Sequence, residues 1–194
     1  SLALQQALSL HQQRQVDALV AGASPAFKAY EGRYQKLSSR ARKAITMAEV
    51  HRRVADADIV HVGDYHTLRF AQRAYLELVK QALQTGRRVV LALEFVEGRH
   101  QETVRRYQAG KLSDRAFLER IGHPYSGAFD IWPHFKPIFE LAKKERLELV
   151  AIDKRASGSR SLITRDTYAA KLIAQIARAH DRPLVLVLMG QYHV

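Results

Sequence analysis

The sequence predicts an α/β fold, a mainly parallel sheet flanked by helices with a helical N-terminal arm, on two observations. Short apolar runs, Ile59–Val62, Val89–Leu93, Leu147–Ile152 and Leu184–Met189, recur along the chain without polar alternation, which marks strands buried on both faces. Amphipathic segments separate these runs. Strand-helix alternation with right-handed crossovers builds a parallel sheet covered on both sides.

Residues 1–45 read as the arm. Leu2, Leu4, Leu8 and Leu10 give way to Gln-rich sequence, Gly22-Ala23-Ser24-Pro25 breaks it into two helices, and Ser38-Ser39-Arg40-Ala41-Arg42-Lys43 follows. A domain over 46–194 is expected after it. Thr46 is placed to cap a helix carrying Met47 and Val50, with Glu49 three residues on completing a capping box. After the first strand, Phe70, Ala74, Leu78 and Ala82 keep helical spacing. The longest connection, Gly98 to Glu145, holds helical pieces and a Pro- and aromatic-rich stretch from His123-Pro124-Tyr125 to Trp132-Pro133-His134, the expected lid or ligand wall. Tyr168, Ala169, Leu172, Ile173 and Ile176 mark the last helix; Thr164 can cap it, and Asp166 in its first turn suits the helix dipole.

Composition bounds the function classes. A chain of 194 residues is long enough for one domain with a sizeable core. Thirty-one Lys and Arg against 19 Asp and Glu give a net charge of +12, which favours anionic partners: nucleic acid, acidic lipid headgroups, or a small ligand bearing carboxylates or phosphates. The basic residues are spread through helical segments such as Arg99 to Arg106 and Lys136 to Arg146, so a solvated basic surface is expected and nucleic acid is not. No apolar run is long enough for a transmembrane segment. The absence of cysteine removes disulfides, thiolate metal sites and a cysteine nucleophile. The chain starts at Ser1 with no basic-then-apolar segment, which leaves localisation open, with the cell envelope expected if a leader was removed from a longer precursor.

The chemistry collects at the strand ends. Gly-X-Tyr-His occurs twice, as Gly63-Asp64-Tyr65-His66 and Gly190-Gln191-Tyr192-His193, each directly after an apolar run. Ligands bind beyond the carboxyl ends of parallel strands. One step past each run stand Asp64 and His66, then Glu94, then Asp153, then His193. A carboxylate ending a buried strand costs desolvation unless paired or coordinated, so these groups are expected to form a shared polar site. Imidazole and carboxylate ligands suit zinc, manganese or iron, or equally a general acid/base pair without metal.

Plainer roles compete for each residue. Glu94 could pair with Arg87 or Arg88, Asp153-Lys154-Arg155 could be an ordinary charged loop, and His66 could cap the following helix. His61, within the first strand, reads as a core histidine. Arg165-Asp166 could orient a substrate anion or be a local pair. Walker-type, Gly-X-Gly-X-X-Gly, Gly-X-Ser-X-Gly and His-Glu-X-X-His signatures are absent, and Ser157-Gly158-Ser159 reads as a flexible loop.

Val62-Gly63-Asp64-Tyr65-His66, Leu91-Ala92-Leu93-Glu94-Phe95, the stretch His134 to Lys143, and Leu188-Met189-Gly190-Gln191-Tyr192-His193 together resemble the ChaN-like haem-binding uptake family, within the wider Tiki, TraB and erythromycin-esterase superfamily. The resemblance runs from about Ile45 to the end of the chain. It implies an α/β sheet and either haem binding linked to iron uptake or metal-dependent hydrolysis of the peptidase or esterase type. It implies His66, Glu94 and His193 as catalytic or metal-ligating residues, with Arg165 and Asp166 in support; Asp64, Tyr65 and Tyr192 are candidates at the cofactor from their place beside these residues. Haem, or alternatively zinc or manganese, is the expected cofactor, and a homodimer the expected assembly. Haem propionates suit a basic chain, and tyrosine is an iron ligand type; Tyr65, Tyr192, Tyr125 and Tyr107 qualify. Two departures stand out: Asp64 replaces the usual glutamate of the first motif, and the sequence stops one residue after the second, as in an incomplete domain.

Overall fold

The computed structural model describes residues 45–66, 69–123, 130–157 and 161–190, with isolated helical positions between 25 and 36. The chain divides into two compact units, Ser1–Arg42 and Lys43–Val194, and every element named below belongs to the second. The arm's two expected helices fall almost wholly outside the described residues.

Among the described residues, four strands and six helices follow in the order α1 (Met47–Asp56), β1 (Ile59–Asp64), α2 (Arg69–Leu83), β2 (Val89–Glu97), a 3-10 turn (Gly98–His100), α3 (Gln101–Gln108), α4 (Asp114–Ile121), α5 (Trp132–Lys144), β3 (Glu148–Asp153), α6 (Ser161–Ala177) and β4 (Leu184–Gly190). All pairings are parallel, in the spatial order β1-β4-β2-β3. The predicted fold class is therefore the observed one.

The apolar runs sort by position in that order. β2 and β4 are central and almost continuously buried, as runs without polar alternation require. β1 and β3 are edges. β1 in particular alternates exposed and half-buried positions, with Asp64 its one buried residue. His61 is consequently exposed rather than a core histidine, because β1 is an edge strand.

The two faces are covered unequally. Leu91, Leu93, Leu149, Leu186 and Leu188 meet helices α1 to α5 in a large core containing Tyr75, Phe117, Trp132, Phe135 and Phe139. Ala92, Ile152, Val185, Val187 and Met189, on the alternate face, meet among the described residues Ala169 and Ile173 of α6 and their neighbours. Period-2 alternation along β2 thus sends Phe95 toward the five-helix face, where it stacks on Phe135 at 4.4 Å between ring centroids.

Helix ends and stripes mix agreement with correction. Thr46 caps α1 by accepting from the Glu49 amide, whereas the Glu49 carboxylate is taken by Arg52 and Arg53. The buried stripe of α2 is Gln72, Tyr75, Val79 and Ala82, rotated from the expected Phe70, Ala74, Leu78 and Ala82; Phe70 is 79% exposed. The polar members explain the shift, since Gln72 donates to Asp64 and the Tyr75 hydroxyl donates to Leu186 O at 2.8 Å. α6 starts at Ser161, so Thr164 lies inside it rather than at its cap.

The outer edge of β3 is sealed by side chains. Gln101 donates to Leu149 O and accepts from the Ala151 amide, both at 2.8 Å, and Gln108 donates to Leu147 O at 2.9 Å. Two glutamines of α3 therefore replace a missing neighbour strand.

Candidate functional site

At the carboxyl end of β1, Val60, Val62 and Asp64 share the face toward α2 by strand alternation. The Asp64 side chain is 1% exposed and holds two partners: Gln72 Nε2 donates to Oδ1, and His66 Nδ1 lies 2.6 Å from Oδ2. The Gln72 carbonyl oxygen is itself buried without a partner among the described residues. His66 remains 46% exposed at its side chain. Its hydrogen bond to Asp64 holds the imidazole above its usual range, against burial, with a further contribution from Glu94. His134 Nδ1 lies 3.1 Å from the His66 carbonyl oxygen and ties this turn to α5. His66 therefore pairs with the strand-end carboxylate, and its carbonyl meets α5.

Two large side chains close to this pair in sequence are exposed: Tyr65, at 50%, and Phe70 at the start of α2. The Asp64–His66 arrangement fixes one ring nitrogen and leaves the chemistry of the other to a ligand or a proton.

Glu94 lies on the opposite face of the sheet, with Ala92, toward α6. Arg165 Nη2 donates to Glu94 Oε1, the Gly190 amide donates to Glu94 Oε2, and Arg165 Nε donates to Asp153 Oδ1 at 2.7 Å. Burial works against the Arg165 charge, and Asp153 and Glu94 outweigh it, so the guanidinium is held the more firmly protonated. Neither Arg87 nor Arg88 pairs with Glu94: the first goes to Asp58, the second to Glu148 and Asp181. Arg165 makes its ion pairs with Glu94 and Asp153, and the charge of its neighbour Asp166 adds to its protonation; Asp166 also lines a groove between α6 and β1 with Ile59 and His61.

Among the described residues the strand ends pair into two groups, Asp64–His66–Gln72 and Glu94–Arg165–Asp153. The charges of Glu94 and Arg165 still act on His66 in opposite senses. His193 and Tyr192 lie outside the described residues, as do Tyr125 and Gly158-Ser159. Tyr107 is a packing residue, stacked on Phe117 and donating to Asp114 Oδ1 at 2.7 Å. Among the described residues no three His, Asp or Glu side chains group to hold a metal ion, and no helix is long and apolar enough to cross a membrane. Sequence reasoning missed Gln72, because a glutamine on a helix carries no sign of a buried carboxylate partner. It also missed the Arg165 bridge, whose ends are 71 and 12 residues away in sequence.

Residues 50–162 match the family described as haem-binding uptake, Tiki superfamily, ChaN. No curated protein matches. Among solved structures, ChaN of Campylobacter jejuni, described as binding haem cofacially, superposes with a TM-score of 0.56 at 10% identity, covering 79% of this chain and 78% of that one. The C-terminal region of Pasteurella multocida toxin, described with a thiol-protease-like catalytic triad, gives 0.56 at 11% identity over 75% of this chain and 21% of that one. RRSP, a MARTX toxin effector domain of Vibrio vulnificus, gives 0.52 at 16% identity over 86% and 33%. At these identities the likeness is one of fold.

Proposed function

The chain belongs to the haem-binding uptake family of the Tiki superfamily that includes ChaN, and from that premise we propose that it binds haem at the carboxyl end of β1 in the service of iron uptake. The observation that carries this reading is a part-exposed imidazole, His66, whose Nδ1 is held by buried Asp64, in a stretch of chain that also leaves Tyr65 and Phe70 exposed. Large apolar surface left in water is what a flat apolar macrocycle would cover. Bound haem supplies an iron that takes a phenolate or an imidazole as axial ligand.

Tyr65 offers the phenol. His66 offers an imidazole whose orientation Asp64 fixes, and Phe70 offers a face for the ring. The basic chain suits the propionates.

A hydrolase is the second reading, favoured by the same Asp64–His66 pair, since a carboxylate that orients an imidazole prepares it as a general base. Glu94 is poorly placed to assist, because both its oxygens already accept hydrogen bonds. A zinc or manganese centre would need His193 to join His66. A thiol-protease chemistry would need a cysteine, and the sequence contains none.

Haemin titration followed in the Soret region separates the readings. A saturable shift, weakened about tenfold in Tyr65→Phe or His66→Ala, is expected for loss of an axial ligand or its neighbour. An unshifted spectrum together with stoichiometric zinc or manganese by elemental analysis would overturn the haem reading. Sedimentation of the loaded protein tests the expected homodimer.

A further inference from the structure

We propose that the crevice between the carboxyl ends of β2 and β3 is an oxyanion subsite, built to take a carboxylate or phosphate group. It is separate from the His66 cluster and does not depend on haem binding there.

The topology sets this place apart. β2 and β3 are adjacent and parallel, but the chain leaves β2 toward the five-helix face and leaves β3 toward α6. Neighbouring strands whose connections depart to opposite faces define a switch point, where open α/β sheets bind ligands. The strands also part here: between the pairings Leu93 with Ala151 and Glu97 with Asp153, β2 runs four residues (93 to 97) against two of β3 (151 to 153).

The opening has a volume of about 430 Å³ and is lined by Gly98, Arg99, Lys154, Arg155 and Tyr168 together with the carboxylates Glu97 and Asp153. Both carboxylates are ion-paired, Glu97 with Arg99 at 2.9 Å and Asp153 at 2.7 Å with Arg165, which it shares with Glu94. Lys154 and Arg155 then add charge that no carboxylate among the described residues takes up. Lys154 Nζ stands 5.7 Å from the centroid of the Tyr168 ring, a cation–π placement that keeps the ammonium at the crevice. The Tyr168 hydroxyl sits where a side chain on Gly98 would be, so glycine here admits a phenolic donor to the crevice. Cations and a hydroxyl donor converging at a switch point recognise oxyanions.

The source of the group is either a propionate of haem or a free phosphate ester, and the test has an arm for each. Inorganic pyrophosphate is titrated into the full chain at fixed ionic strength, read by amide shifts of Gly98, Lys154 and Arg155 and by its dissociation constant. The double variant Lys154→Ala/Arg155→Ala should weaken pyrophosphate by about tenfold or more. Arg115→Ala/Arg120→Ala, which removes the same charge from α4, should leave it unchanged. Equal weakening in both variants, or shifts scattered over the whole basic surface, would overturn the proposal.

A second titration compares haemin with haemin dimethyl ester. If the crevice variant weakens haemin and not the ester, a propionate occupies the subsite. If haemin is unaffected and pyrophosphate still binds the haem-loaded protein, the occupant is a separate phosphate. Absence of a Soret shift alone would fail the haem reading and leave the pyrophosphate result standing.

Discussion

The two ionisable clusters at the carboxyl edge of the sheet use the same kinds of residue to opposite ends. In the Glu94–Arg165–Asp153 cluster each oxygen of Glu94 accepts from a donor and Arg165 serves two carboxylates. In the Asp64–His66 cluster the carboxylate is buried and satisfied while half of the imidazole faces water. A charged group at a strand end is therefore not yet a site. The capacity left unspent by the fold decides, and here it lies on the α2 face, with α6 holding the structural pair.

The strongest way to break the contrast is to remove Arg165. Arg165→Ala strands the buried Glu94 beside Asp153 and should cost about 3 kcal/mol in denaturant unfolding; a loss under about 1 kcal/mol would show that the cluster is not structural. Next comes the donor behind the open cluster. Gln72→Ala takes a buried hydrogen bond from Asp64 and should cost about 2 kcal/mol, read from the thermal midpoint.

The third test is pH. The hydrogen bond to Asp64 raises the folded-state affinity of His66 for its proton above the ordinary 6.5. Stability from the pair is then fully present below 6.5 and is lost as pH rises through the higher folded value. Wild type should lose stability from neutral into mildly alkaline solution, and Asp64→Asn should flatten the profile there. The smallest effect sharpens the contrast most: Phe70→Ser, at an exposed position, should change stability by less than about 0.5 kcal/mol while weakening haemin binding in the Soret titration.

Much of this was legible in the sequence. Val89–Leu93 and Leu184–Met189 announced buried strands because parallel sheets bury both faces, and strand termini announced the ionisable residues. The order of the strands was not legible, and with it went the expectation that β1 is buried and His61 internal. Local periodicity cannot tell an edge from a centre. Nor could spacing along α2 choose the stripe, since Gln72 and Tyr75 turn inward for polar partners on β1 and β4 that only the folded sheet supplies. Arg165 stood out from the start, but its partners are set by crossovers rather than by neighbours in sequence.

Among the described residues, one face of the sheet rests on α6, and the same helix carries Arg165. Its docking and the ion pairing of Glu94 and Asp153 are therefore one cooperative event. Release of α6 would uncover the Ala92, Ile152, Val185 and Val187 surface and unpair both carboxylates together. In native-state hydrogen exchange, α6 should open as a unit below the global unfolding free energy, while β2 and β4, held from the other side by five helices, exchange only with the whole domain.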